Sequence, residues 1–223
     1  MPIPEAPTSA PPQRWPAIYT GHREEAPGVL LVTSRLEAFS DAVFAIAITL
    51  LVLDLAIDAG ARGHLARALG ELWPSYLAYA TSFFMIGLVW MGHHVIVSIS
   101  TRVDRRLLKI NLALLFVVAF LPFPTRLLAE FIRDPHAERV AAVFYGLWLL
   151  LISVTLAGMW GYISGKRRLL PGGFDQARID YITRAFRPNI ALYVLAIALA
   201  LIAPQIAAAL FLVIAVVGFV RAA

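Results

Sequence analysis

The sequence contains no cysteine and few charged residues. The absence of cysteine excludes disulfides, thiolate metal sites and thiol nucleophiles. Charged side chains make up 15% of the 223 residues, against about 25% in soluble domains, so they are too few to cover a globular surface. Instead, 60% of the residues are hydrophobic and the mean hydropathy is +0.77. The composition therefore predicts an integral membrane protein.

Catalytic and nucleotide-binding motifs are also missing. The chain has no GxSxG, no HExxH and no phosphate-binding glycine loop, so no enzyme is predicted. His93 and His94 are adjacent, and adjacent residues do not share a helix face, so no metal site or other cofactor is predicted. A single haem-ligating histidine is the minor alternative. The basic residues lie between apolar runs, which is a pattern of membrane topology and argues against a nucleic-acid partner.

Six apolar runs follow a proline-rich tail, and each is near the ~20 residues that a membrane helix requires. The tail, residues 1–34, holds 7 of the 14 prolines and is predicted to be disordered and cytoplasmic. Residues 35–223 are predicted to form one all-α transmembrane domain. The last two runs are short and meet at Pro204, so one bent helix is an alternative there. The predicted spans are Leu36–Ile57, Leu72–Ile99, Leu107–Phe131, Val140–Ser164, Pro188–Ala203 and Pro204–Val220.

The basic residues predict the orientation. With six spans, 14 of the 19 Lys and Arg fall on the side of the two termini. The positive-inside rule then places both termini in the cytoplasm, as expected for a multi-pass protein of the cell (inner) membrane. The loop after the fourth span carries Lys166, Arg167 and Arg168 and is predicted to contact anionic lipids of the inner leaflet.

The first span begins with polar residues that allow two interpretations. Ser40 and Asp41 lead directly into a dozen apolar residues. They either cap the start of a helix or form a buried polar knot with neighbouring helices, since an ionisable group at the hydrocarbon boundary needs a partner. The candidate partners for the knot are Arg35, Trp90, His93, His94 and Asn111.

Farther along the same span, one helix face carries a regular stripe. Ala42, Ile46, Thr49 and Leu53 recur at intervals of four, three and four residues, which places them on one side of a helix. The stripe is either ordinary packing or, if several copies surround an axis, the lining of a narrow pore with apolar constrictions. At the far end, Asp54 and Asp58 either attract cations or belong to a solvated loop.

Several motifs together resemble the transmembrane protein 175 family of potassium channels. They are Arg35-x-x-x-Phe39-Ser40-Asp41 at the head of the first span, Trp90-x-x-His93-His94 in the second, and Asn111 with Leu121-Pro122-Phe123-Pro124-Thr125 in the third. The resemblance covers about residues 34–221. It implies a potassium-preferring cation channel, with K⁺ as the permeant ion, and a homotetramer in which four first helices line a central pore.

The resemblance also assigns roles to residues. Ile46 is expected to be the main constriction, with Thr49 as a hydroxyl ring and Leu53 and Leu50 as further apolar rings. Arg35, Phe39, Ser40 and Asp41 are expected to hold the first helix against the second and third. The rival hypothesis is a proton-coupled secondary transporter that uses Asp41 and the His93/His94 pair.

Overall fold

The computed structural model describes residues 33–57 and 63–222, and within these ranges the chain is built from helices. Most of the predicted tail and Asp58 lie outside the described residues. Two short 3₁₀ turns, Leu51–Asp54 and Arg167–Leu169, accompany the α-helices. The α-helices are α1 Thr33–Leu50, α2 Leu65–Glu71, α3 Trp73–Ser98, α4 Arg105–Phe120, α5 Pro122–Phe131, α6 Glu138–Gly165, α7 Gln176–Ala200 and α8 Pro204–Ala222.

The predicted all-α membrane fold is confirmed. Five helical segments of the described chain are long and apolar enough to span a membrane: Thr33–Asp54, Trp73–Ser98, Arg105–Phe131, Glu138–Gly165 and Pro204–Arg221. The fifth predicted span corresponds to a shorter apolar stretch, Ile190–Ala200, at the end of α7. The short helix α2 was not predicted from the sequence.

The helix that contains the fifth predicted span begins well before that span. α7 begins at Gln176, not at Pro188, because Asp175 caps it by accepting a hydrogen bond from the backbone N–H of Ala177 at 3.3 Å. The helix therefore has a polar first half and an apolar second half. α7 and α8 are separate helices that pack against each other, so the alternative of one bent helix is wrong.

The third predicted span is interrupted at the prolines. α4 ends at Phe120 and α5 begins at Pro122. Because the N–H of Leu121 bonds to the carbonyl of Val118 at 3.1 Å, the carbonyl of Val117 loses its usual helical donor. The indole Nε1 of Trp148 on α6 donates to that carbonyl at 2.8 Å. A neighbouring helix thus satisfies the backbone group that the break frees.

The helices form one apolar core, and α1 lies at its edge. α3 packs against α5 and α8, and α6 packs against α4, α5, α7 and α8. α1 contacts α3 and α4. Of the five long apolar segments, the one that contains α1 is the least buried within the chain. Half of an apolar helix therefore remains uncovered by its own subunit.

Candidate functional site

The two sides of α1 have different surroundings. Its inward side buries Leu36, Ser40, Phe44 and Ala47 against the rest of the chain, and Leu51 continues this side into the 3₁₀ turn. The opposite side carries the predicted stripe, and all four of its members are exposed: Ala42, Ile46, Thr49 and Leu53. Because this spacing follows the helical period, one side attaches the helix and the other side faces outward.

A buried cluster of three polar residues, here called the histidine cluster, joins α1, α3 and α4. It consists of Ser40, His93 and Asn111, all fully buried. Asn111 Nδ2 donates to Ser40 Oγ at 3.0 Å, and Asn111 Oδ1 lies 2.7 Å from His93 Nε2. The ring of Phe44 lies 5.4 Å from the His93 ring and covers one side of the cluster. The structure thus brings together three residues of the predicted polar knot.

The hydrogen bonds of this cluster run in one direction. Ser40 Oγ donates to the carbonyl of Leu36 at 2.8 Å, so it accepts from Asn111. Since Asn111 Oδ1 is an acceptor, His93 Nε2 carries the proton in the neutral ring. His93 Nδ1 is buried without a hydrogen-bond partner among the described residues. The capping interpretation is wrong, because α1 begins at Thr33 and Ser40 and Asp41 lie two turns inside it.

Two further pairs connect α1 to α3 beside this cluster. Trp90 Nε1 donates to Asp41 Oδ1 at 2.8 Å, and His94 Nδ1 lies 3.1 Å from Glu37 Oε1. Glu37 was not identified from the sequence. A signal was present, because Glu37 and Asp41 are four residues apart, as are Trp90 and His94, and antiparallel helices match such pairs.

Arg35 and Phe39 are not part of this network. Arg35 is exposed and makes no hydrogen bond or ion pair with the residues that the structure describes. Phe39 is 53% exposed. Within the described part of one subunit, Arg35 thus forms no polar bond to α3 or α4, and more than half of the Phe39 side chain is uncovered.

The predicted pore residues point away from the subunit core. Ile46 is 59% exposed, Leu53 70% and Leu50 42%. Thr49 Oγ1 lies 2.9 Å from the carbonyls of both Ala45 and Ile46, so its proton is used within the helix. The lone pairs of the Thr49 oxygen are then free to accept from, or coordinate, a group beyond the helix.

Asp54 ends the 3₁₀ turn that follows α1 and is half-buried. The turn packs against α5, where Arg126 Nε and Glu130 Oε1 form an ion pair at 2.7 Å. Charges of both signs therefore lie near this end of α1. Among the described residues, no group of three or more His, Asp or Glu side chains is arranged to bind a metal ion.

A second polar cluster, here called the hydroxyl cluster, was missed from the sequence. It joins α3, α5 and α6 through Ser82, Thr125 and Tyr145, which are all buried. Ser82 Oγ lies 2.6 Å from Thr125 Oγ1 and 2.9 Å from the Tyr145 hydroxyl, and Thr125 Oγ1 donates to the carbonyl of Leu121 at 2.8 Å. Single hydroxyl residues inside apolar runs give no signal of which helix they meet.

Comparison with known proteins identifies the family. The family model described as endosomal/lysosomal potassium channel TMEM175 matches residues 35–122. A protein of Streptomyces collinus named a potassium channel is 44% identical over 64% of this chain and 70% of its own length. A protein of Chamaesiphon minutus, also named a potassium channel, is 40% identical over 82% of this chain and 92% of its own length.

A solved structure supports the same family assignment. The crystal structure of a lysosomal potassium-selective channel TMEM175 homolog from Chamaesiphon minutus superposes with a TM-score of 0.76, at 39% identity, over 85% of this chain and 97% of that one. The family predicted from the motifs is thereby confirmed, and with it the prediction that the chain is not an enzyme. This chain belongs to the TMEM175 family of channel proteins.

Proposed function

We propose that the chain forms a homotetrameric, potassium-preferring cation channel whose pore is lined by four copies of α1. The observation that carries the proposal is the exposed stripe of Ala42, Ile46, Thr49 and Leu53 on the least buried of the long apolar helices. A helix with one side anchored by polar bonds and an opposite apolar side left bare is suited to surround an axis. The names of the bacterial relatives support potassium as the permeant ion.

In this proposal, the filter selects ions through the width of an apolar neck and through how readily water enters that neck. Four Ile46 side chains form a short apolar neck that an ion passes only after losing part of its hydration shell. One turn farther along, four Thr49 oxygens replace part of the lost water, since their lone pairs face outward from the helix. Leu53 forms a further apolar ring, with Leu50 beside it. A short neck of this kind gives modest selectivity of potassium over sodium.

The orientation of the chain in the membrane and the surroundings of the pore complete the proposal. Both termini lie in the cytoplasm of a cell-membrane protein, Asp54 attracts cations at the far mouth, and the basic loop after α6 contacts anionic lipid. Because the chain has no native cysteine, single cysteines at residues 14 and 174 report sidedness when labelled with an impermeant maleimide in intact cells. Labelling of either position without permeabilisation contradicts this orientation.

Substitution of Ile46 tests the filter. Ile46→Asn places a polar side chain in the neck, so water enters it more easily. We therefore expect a higher single-channel conductance and a several-fold lower potassium-to-sodium permeability ratio in planar bilayers. The matched control is Leu195→Asn, at an aliphatic residue of α7 that is 64% exposed and far from the stripe in sequence. If Ile46→Asn leaves both quantities at the wild-type values, Ile46 is not the filter.

The rival proton-coupled carrier is tested by flux. Each of its candidate residues has a structural partner: Asp41 bonds to Trp90, His93 to Asn111 and His94 to Glu37. In proteoliposomes, the channel passes potassium down its gradient at a rate that an imposed proton gradient does not change. A potassium flux that follows the proton gradient favours the carrier instead.

A further inference from the structure

A groove opens between α1 and α3 on the outside of the subunit. It has a volume of about 320 Å³. Its walls are apolar, with Ala45 and Ile48 on one side and Ile86 and Gly87 on the other. The hydrogen-bonded pair Asp41 and Trp90 lies at one end. We call this the α1–α3 groove.

The opposite flank of α1 carries a ridge. At roughly 100° per residue, Phe39 and Val43 lie on one side of the exposed stripe, and the groove residues Ala45 and Ile48 lie on the other. Phe39 is 53% exposed, and Val43, one turn later, is half-buried. α1 therefore presents a pore stripe in the middle, an aromatic ridge on one flank and an apolar groove on the other.

We propose that the ridge of Phe39 and Val43 in each subunit docks into the α1–α3 groove of the next subunit around the ring. The inference rests on the proposed function, because it requires α1 helices arranged around an axis. In a closed ring the contact is head-to-tail, so one flank of a helix meets the other flank of its neighbour. Rotation about the axis keeps copies at equal height, and Val43 and Ala45 differ by only about 3 Å along the helix.

The size of the groove fits this occupant. A protein cavity of about 150 Å³ holds one benzene molecule. A groove of about 320 Å³ therefore accepts a phenyl ring together with one branched aliphatic side chain, which is what the ridge supplies.

The charges at the same end of the helix also fit. Arg35 lies one turn before Phe39 and is exposed, without an ionic partner in the described part of the chain. Glu37 lies one turn before Asp41 on the groove side of α1. Docking of the ridge brings Arg35 of one subunit toward these two carboxylates of the next, so opposite charges meet across the contact.

Disulfide cross-linking tests the contact directly, because the chain has no native cysteine. The variant carrying both Val43→Cys and Ala45→Cys, oxidised in membranes, should give a ladder of dimer, trimer and tetramer on a non-reducing gel. Within one helix, residues two apart point to nearly opposite sides, so an internal disulfide cannot form. Each single variant is a control and should remain monomeric on the gel.

Two substitutions test the fit from both sides. Phe39→Ala should raise the tetramer dissociation constant at least about tenfold in detergent, since buried aromatic anchors dominate interfaces. Phe116→Ala, at an aromatic residue of α4 that is 68% exposed, should not change it. Ala45→Trp fills the groove and should release subunits, whereas Ala113→Trp on the exposed side of α4 should not.

The outcomes separate this inference from the proposed function. A ladder in the double variant only, with weakened Phe39→Ala tetramers, supports the docking. An intact tetramer with no ladder, or a dimer from Val43→Cys alone, overturns the docking and leaves the channel proposal standing. Wild-type protein that is monomeric by light scattering and passes no potassium in liposomes overturns both.

Discussion

The two buried polar clusters of the subunit are built alike but connect different parts of it. The histidine cluster joins α1 to α3 and α4 through Ser40, His93 and Asn111. The hydroxyl cluster joins α3, α5 and α6 through Ser82, Thr125 and Tyr145. Only the first includes a residue of α1. Polar bonds thus hold α1 near its start, and hydrophobic contacts of Ala47 and Leu51 hold the rest.

The hydroxyl cluster and the histidine cluster differ in chemistry as well as in the helices that they connect. The hydroxyl cluster contains donors that rotate to suit their partners, so it tolerates small shifts of the helices. The histidine cluster contains a rigid amide and a rigid ring that fix distances on two sides of Asn111. In the proposed channel, a fixed distance between α1 and its support would keep the width of the apolar neck constant.

Removal of the Asn111 amide gives the largest expected effect. Asn111→Leu keeps the branched shape of the side chain. It leaves His93 Nε2 buried without its partner and removes one of the two partners of Ser40 Oγ. Each unsatisfied buried group costs about 1–3 kcal/mol, so we expect a loss of about 2–5 kcal/mol in the free energy of unfolding. The measurement is SDS-induced unfolding followed by circular dichroism, together with the yield of assembled protein.

The control for this change is Leu112→Ala on the same helix. Leu112 is 47% exposed, so its truncation should change the free energy of unfolding by no more than about 0.5 kcal/mol. An Asn111→Leu protein as stable as Leu112→Ala would show that the histidine cluster does not hold α1.

Disruption of the hydroxyl cluster should cost less. Thr125→Val keeps the shape and removes one hydroxyl, and Ser82 Oγ still accepts from Tyr145. We expect a loss of about 1–2 kcal/mol in the free energy of unfolding. The potassium-to-sodium permeability ratio should not change, because the hydrogen bonds of this cluster join α3, α5 and α6.

Bilayer recordings and SDS unfolding of the same Thr125→Val preparation measure both quantities. An unchanged stability with an altered permeability ratio would reverse the comparison and assign the hydroxyl cluster to the pore.

Periodicity was enough to predict the long apolar helices and the shared face of the stripe, but not the exposure of that face or the contacts between distant segments. The long apolar runs and the spacing of Ala42, Ile46, Thr49 and Leu53 depend on local sequence, so they could be predicted. The first half of α7 was not predicted, because it is polar and only the stretch Ile190–Ala200 of this helix is apolar. Asp175, which caps this helix, was a readable signal.

The partners within the site were harder to predict. The resemblance grouped Ser40, His93 and Asn111, and the structure places them in contact. It also grouped Arg35 and Phe39 with them, whereas both are exposed on one subunit. A shared motif does not distinguish contacts within a chain from contacts between chains, because both leave the same spacing in the sequence.

The smallest effect is expected for the pair Glu37 and His94 at the edge of the α1 and α3 contact. Their side chains are 31% and 52% exposed, so solvent and salt screen the attraction, and such pairs contribute about 0.5 kcal/mol or less. Glu37→Gln keeps an amide oxygen facing His94 and should lower the free energy of unfolding by no more than that in SDS titrations. Addition of about 0.5 M salt should further reduce the difference in the free energy of unfolding between Glu37→Gln and wild type. A loss comparable to that of Asn111→Leu would mean that this edge is covered in the assembled protein. The neighbouring subunit that we propose to dock at the adjacent groove is then the covering group to test next.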